Sequence, residues 1–154
     1  MGLKFSKHHK ADVIVDLQFG STGKGLIAGW LSETGVYDTV VAANMPNAGH
    51  TYITDSGRKF VHKALPSGIF VSDNIMIGPG AVFDPARLKK EIEDSWDIIQ
   101  DKRIMIHEAA GILSPEHRES EQNTLSRISS TMQGSAACLT DKIMRKESAI
   151  AKYN

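Results

Sequence analysis

The feature that most limits what this chain can fold into is Gln18-Phe-Gly-Ser-Thr-Gly-Lys-Gly25, three glycines in eight residues wedged between two apolar segments. Before it lies Ala11-Asp-Val-Ile-Val-Asp-Leu17, a β-branched run that reads as a buried strand. After it come Leu26, Ile27, Trp30 and Leu31 at helical spacing. Strand, glycine turn and helix in that order put backbone N–H groups and the positive end of a helix at one point, an arrangement suited to an anion. Lys24 adds a mobile positive charge for phosphate oxygens. The spacing departs from the common P-loop, which separates its glycines by four residues and follows its lysine with Ser or Thr. Here two residues separate Gly20 from Gly23, and Gly25 follows Lys24.

The rest of the chain continues the alternation. Thr39–Ala43 reads as a strand that runs into the polar loop Asn44-Met-Pro-Asn-Ala-Gly-His-Thr51. Tyr52–Thr54 and Lys59–His62 flank Asp55-Ser-Gly57, a hairpin signal. Ile75–Ile77 and Arg103–His107 are further short strands. Asp84 and Pro85 make a cap and first turn for a helix with Leu88, Ile92, Trp96 and Ile99 on one face. Pro115–Arg127 reads as an exposed helix and Asp141–Ala151 as another. The expected fold is α/β: a mainly parallel sheet flanked by helices, with a small antiparallel hairpin and a P-loop-like glycine turn. Residues 1–10 are expected to be a polar tail, in which Lys4, Lys7, His8, His9 and Lys10 form the only conspicuous basic cluster, and residues 11–154 one unit.

Charge and cysteine content narrow the function class. Eighteen basic residues balance eighteen acidic ones, so no bulk charge draws the chain to nucleic acid or anionic lipid. No apolar stretch has the length of a membrane span, and residues 1–10 lack a signal-peptide core. The single cysteine, Cys138, has no partner for an internal disulfide, which fits a reducing cytoplasm, and it reads as a buried filler rather than a nucleophile.

Two further segments carry candidate chemistry. Asn47-Ala-Gly-His-Thr51 follows a strand, where α/β folds place ligands; His50 suits a general acid or a phosphate-orienting group, and Asn47 can donate or accept. Ser129-Ser-Thr-Met-Gln-Gly134 collects hydroxyls and an amide before a helix and would suit a second phosphate, although such runs also serve simply as caps and turns.

Taken in order, these motifs resemble the adenylosuccinate synthetase family. That family carries Gln-Trp-Gly-Asp-Glu-Gly-Lys-Gly, Asn-Ala-Gly-His-Thr, His-x-x-Pro-Ser-Gly-Ile and Gly-Thr-Thr-x-x-Gly ahead of an Asp-Lys helix. Here they stand as Gln18–Gly25, Asn47–Thr51, His62-Lys-Ala-Leu-Pro-Ser-Gly-Ile69, and Ser129-Ser-Thr131 with Gly134, Asp141 and Lys142. The resemblance implies a ligase that joins aspartate to carbon 6 of a purine nucleotide, using a nucleoside triphosphate, Mg²⁺ and a 6-phosphoryl intermediate. It implies that Gly20, Ser21, Thr22, Gly23, Lys24 and Gly25 hold the donor's phosphates. His50 would assist phosphoryl transfer with Lys24, and Thr51 would lie beside it. The Gly49 carbonyl would face Mg²⁺, with Ser21 as a second candidate ligand. Asn47, Ser130, Thr131 and Gln133 would meet the purine nucleotide, and Arg145 would reach a neighbour's nucleotide across a homodimer.

Ser21 is the informative departure, because the family places its catalytic aspartate there. A hydroxyl is a far weaker base than a carboxylate and carries no charge for a metal. It leaves room, however, beside carbon 2 of the purine, where guanine bears an amino group. The wording around Ser21, together with Gln133 and Ser135-Ala-Ala137, resembles the phage branch that uses dGMP, L-aspartate and ATP or dATP in host cytoplasm to make a 2-aminoadenine precursor. An ordinary adenylosuccinate synthetase using IMP and GTP, and a truncated non-catalytic nucleotide-binding module, remain the alternatives. The family's later motifs, for the donor base and the aspartate, are not in this sequence.

Overall fold

A computed structural model describes residues 11–18, 20–35, 37–125 and 130–153. The basic cluster of residues 4–10, Phe19, residues 126–127 of the helix expected over Pro115–Arg127, and Ser129 lie outside them. The elements run α1 (Lys24–Thr34), β1 (Thr39–Ala42), β2 (His50–Ile53), β3 (Lys59–His62), β4 (Asn74–Ile77), β5 (Val82–Phe83), α2 (Pro85–Asp94), α3 (Trp96–Ile99), β6 (Arg103–Ile106), β7 (Gly111–Ile112), α4 (Pro115–Leu125) and α5 (Ser135–Ile143), with two 3₁₀ turns after α5.

The frame is a three-stranded parallel sheet in the order β1-β4-β6, in register Val40↔Ile75↔Ile104. Ile75 and Ile77 are fully buried at its centre, packed with Leu65, Ile69, Leu88 and Ile99. β2 and β3 form the expected antiparallel hairpin, pairing His50 with His62, and β5 pairs parallel with β7. Asp84 caps α2 by accepting from the Ala86 and Arg87 amides at 3.0 and 3.4 Å, and Pro85 opens the helix where a missing N–H is harmless.

Four expectations need correction. The run Ala11–Leu17 forms no strand: it has no ladder partner among the described residues, and Val13, Val15 and Leu17 are 81%, 69% and 99% exposed. Alternating β-branched residues create the propensity, but a strand exists only where a neighbouring backbone completes its hydrogen bonds. The helix expected to carry Leu88 through Ile99 breaks at Ser95, whose amide turns back to Ile92 and Glu93, and Trp96 is exposed. The helix expected over Asp141–Ala151 lies earlier, at Ser135–Ile143; the chain leaves it through Arg145 at φ +58°, a left-handed residue that α-helical hydrogen bonding cannot pass. Finally, α4 is not exposed all round, since His117 and Glu121 are buried.

Candidate functional site

The glycine turn and the histidine loop meet because α1 lies directly on β2. Gly25 and Gly29 face the hairpin, one turn apart. A Cβ on Gly25 would fall 2.9 Å from His50 Cβ and 3.0 Å from the Thr51 amide nitrogen; one on Gly29 would strike the Tyr52 ring at 2.3 Å. The glycines therefore let the helix approach to a distance no other residue permits, and this sets His50 against the first turn of α1. Tyr52 is held in turn by its hydroxyl on the Glu33 carboxylate and by stacking on Phe70 at 5.0 Å.

Gly23 is the N-cap of α1 at φ +86°, and Gly20 sits at φ +101°, both in backbone territory that L side chains rarely adopt. No side chain caps α1 and no acidic residue occupies its first turn. Its leading amides thus face outward with Gly20, Ser21, Thr22 and Gly23, all exposed. This is a cradle for an anion at a helix start. Lys24 crosses the cradle to pair with Asp16. An incoming phosphate would compete with that carboxylate for the ammonium group.

His50 is half-buried, and its pKa is lowered, first by burial and then by the Lys24 charge. The imidazole is neutral at neutral pH, with one nitrogen to donate and one to accept. Asn47, Gly49 and Thr51 are exposed beside it. The loop is anchored behind them: Ala48 donates to the Met45 carbonyl at 3.2 Å, and the Asn44 carbonyl accepts from Val82 at 3.0 Å.

The Ser130–Gln133 segment is arranged differently from its expected use. Ser130 Oγ accepts from the Met132 amide at 3.1 Å, with Met132 at φ +51°, and Gln133 Nε2 donates to the Thr131 carbonyl at 3.3 Å. The start of α5 is already filled. Glu121, 3% exposed, accepts from the amides of Gly134 at 2.8 Å, Ala136 at 2.6 Å and Ala137 at 3.3 Å. A phosphate cannot take the same amides, so any second anion must be met by the Ser130 and Thr131 side chains rather than by this helix end. Arg145 is exposed beyond α5.

Two buried carboxylates escaped the sequence reading. Glu121 is one. The other is Glu91, whose oxygens accept from the amides of Lys63, Ala64 and Leu65 at 2.8–3.0 Å and from Arg87 Nε at 3.0 Å. It fastens the start of the His62–Ile69 segment onto α2. The only sequence trace of Glu91 was its place beside the apolar face of α2, and Glu121 left none, because its helix reads as polar throughout. Cys138 is fully buried, and burial pushes its thiol up to about 11, which agrees with a filler role. Among the described residues no helix is long and apolar enough to cross a membrane, and no group of three or more His, Cys, Asp or Glu stands together to hold a metal.

Residues 13–153 match the family model of adenylosuccinate synthetase. The chain is 54% identical over 139 residues to the N6-succino-2-amino-2'-deoxyadenylate synthase of Vibrio phage phiVC8, covering 87% of this chain and 40% of that protein. It is 38% identical over 142 residues to the adenylosuccinate synthetase of Thermoplasma acidophilum, covering 88% of this chain and 32% of the relative. Among solved structures it superposes on the Cyanophage S-2L succinoaminodeoxyadenylate synthetase bound to dGMP and dATP as an energy donor. The TM-score there is 0.76 at 34% identity, covering 91% of this chain and 40% of that one. The chain thus spans about 40% of the length of the phage relatives it matches.

Proposed function

The chain belongs to the adenylosuccinate synthetase family, and on that premise we propose that it forms the phosphate-holding portion of a ligase joining L-aspartate to carbon 6 of dGMP, driven by ATP or dATP. The observation that carries this reading is Ser21, exposed in the glycine turn at the start of α1, a turn that the packing of Gly25 sets against His50. Relatives of the phage type at 54% and 49% identity support the branch.

In this reading the outward amides of residues 20–25 and the Lys24 ammonium hold the donor triphosphate. Neutral His50 donates a hydrogen bond toward the purine's 6-oxygen as it takes the γ-phosphoryl group. The N1 ring proton passes to water as the 6-oxygen is phosphorylated. The aspartate nitrogen then displaces that phosphate, so that a C–N bond forms, the C–O bond breaks with its electron pair leaving on phosphate, and the amine proton passes to water. Asn47, Thr51, Ser130, Thr131 and Gln133 would position the purine nucleotide, and Arg145 would reach the nucleotide of a second copy in a homodimer. The Gly49 carbonyl and the Ser21 hydroxyl are hard, neutral oxygens that suit Mg²⁺ when the triphosphate supplies the negative charge. Bound there, the ion would neutralise charge on the phosphates.

The test is product formation by the full-length ligase of which this chain is the proposed portion, from aspartate, ATP and either dGMP or IMP, read by mass spectrometry. Succinylated product from dGMP and little from IMP is expected; equal yields from both would sink the dGMP assignment. A second reading is a nucleotide-binding module without turnover. Calorimetric binding of dGMP with no product would select it.

A further inference from the structure

We propose that a cationic cavity behind the nucleotide loops binds a phosphate dianion, either inorganic phosphate or the phosphomonoester of a nucleotide. The cavity has a volume of about 140 Å³ and draws Lys63, Arg87 and Arg118 together from three separate parts of the chain, with Asp84 the only carboxylate in its lining. That is below the roughly 300–1,000 Å³ of pockets that take whole small-molecule ligands, and suits one tetrahedral anion.

The charges are not all balanced locally. Arg118 pairs with Asp84 and Arg87 with Glu91. Glu91 already receives three backbone N–H groups from the other side, which spreads its charge away from Arg87. Asp84 likewise spends one oxygen on capping α2. Among the described residues no ion pair is made by the Lys63 ammonium group. Val82, Phe83 and Ala64 also line the cavity, and a dianion bound there offsets the neighbouring cations directly. Two guanidinium groups and an ammonium around one small cavity are the donor set that phosphate oxygens require.

The place of the cavity ties it to the site. Pro46, which precedes Asn47, and Gln133, which follows Thr131 and Met132, both line it. It therefore sits where the two loops assigned above to the purine nucleotide converge. The assignment of the phosphate to a nucleotide rests on that reading; the binding of phosphate itself does not.

Titration of the 154-residue chain with inorganic phosphate, followed by ³¹P NMR and calorimetry, tests the proposal. Phosphate is expected to bind the wild type and the Lys89→Ala variant, an exposed change on α2, with affinities within about threefold, to weaken at least tenfold in Lys63→Ala, and to recover in Lys63→Arg. Circular dichroism confirms that each variant is folded. A parallel arm uses dGMP and deoxyguanosine. Competition by dGMP but not by deoxyguanosine identifies the ligand as the nucleotide's phosphate. Competition by neither leaves free phosphate as the ligand, keeps the cavity and removes the nucleotide reading from this corner. Phosphate binding lost in Lys24→Ala but unchanged in Lys63→Ala would place the anion at the glycine turn and overturn the proposal. So would dGMP binding that ignores Lys63 with no phosphate binding at all, an outcome that leaves the proposed function standing.

Discussion

At the scale of single residues, the site depends on atoms that are missing as much as on those present. Gly25 has no Cβ because His50 and the Thr51 backbone occupy that space. A Gly25→Ala change must push α1 off β2, and overpacking of this kind costs about 1–3 kcal/mol. We expect Gly25→Ala to lower the midpoint of thermal unfolding and to weaken triphosphate binding, whereas an alanine at exposed Gly49 should leave the midpoint nearly unchanged. Equal melting of both variants would mean that the α1–β2 approach does not organise the site. The sequence made the glycine turn legible, but not which glycine touches which loop, because close approach is a property of two segments 25 residues apart (Gly25 and His50).

At the scale of elements, the loops are held by carboxylates reaching across from helices. Glu91 binds three amides of the segment after β3, and Glu121 binds three amides around the start of α5. Removing either strips N–H groups of their partners, at about 1–3 kcal/mol for each that is buried, as Ala64, Leu65 and Gly134 are. Glu121→Ala is therefore expected to cost about 1–3 kcal/mol by chemical denaturation, while Glu121→Gln, which keeps one acceptor oxygen, costs less. Hydrogen exchange at Gly134, Ala136 and Ala137 should rise sharply in the alanine variant; unchanged exchange there would remove Glu121 from this role. Such anchors hide in the sequence because a buried Glu on a charged helix looks like one more solvent-facing charge. The strands β1, β4 and β6 were legible because each is a short apolar run between turn signals. The run Ala11–Leu17 looked the same and failed, since nothing in its own residues says whether a partner strand stands beside it.

At the scale of the whole molecule, stability carries a pH signature. His62 is buried, with Nε2 3.3 Å from Ser95 Oγ, and burial lowers its pKa below the ordinary 6.5. His50 shifts the same way. Both imidazoles take a proton more readily in the unfolded chain than in the folded one. Their contribution to stability is full above about pH 6.5 and is lost as pH falls through the lowered folded values. Denaturation midpoints should thus fall between pH 7 and pH 5, and His62→Gln, if folded, should flatten that slope; a flat profile in the wild type would contradict the burial of His62. The exposed Val13, Val15 and Leu17 belong to the same scale, as apolar surface on a chain that spans about 40% of its phage relatives.

In the proposed function Ser21 lets this glycine turn accept a purine with a 2-amino group, and calorimetry of dGMP against IMP reads that preference at the turn itself. The wild-type chain is expected to bind dGMP at least tenfold more tightly than IMP, and Ser21→Asp to reverse the preference by placing a carboxylate beside carbon 2. A preference that is absent in the wild type, or that survives unchanged in Ser21→Asp, would contradict this role for Ser21.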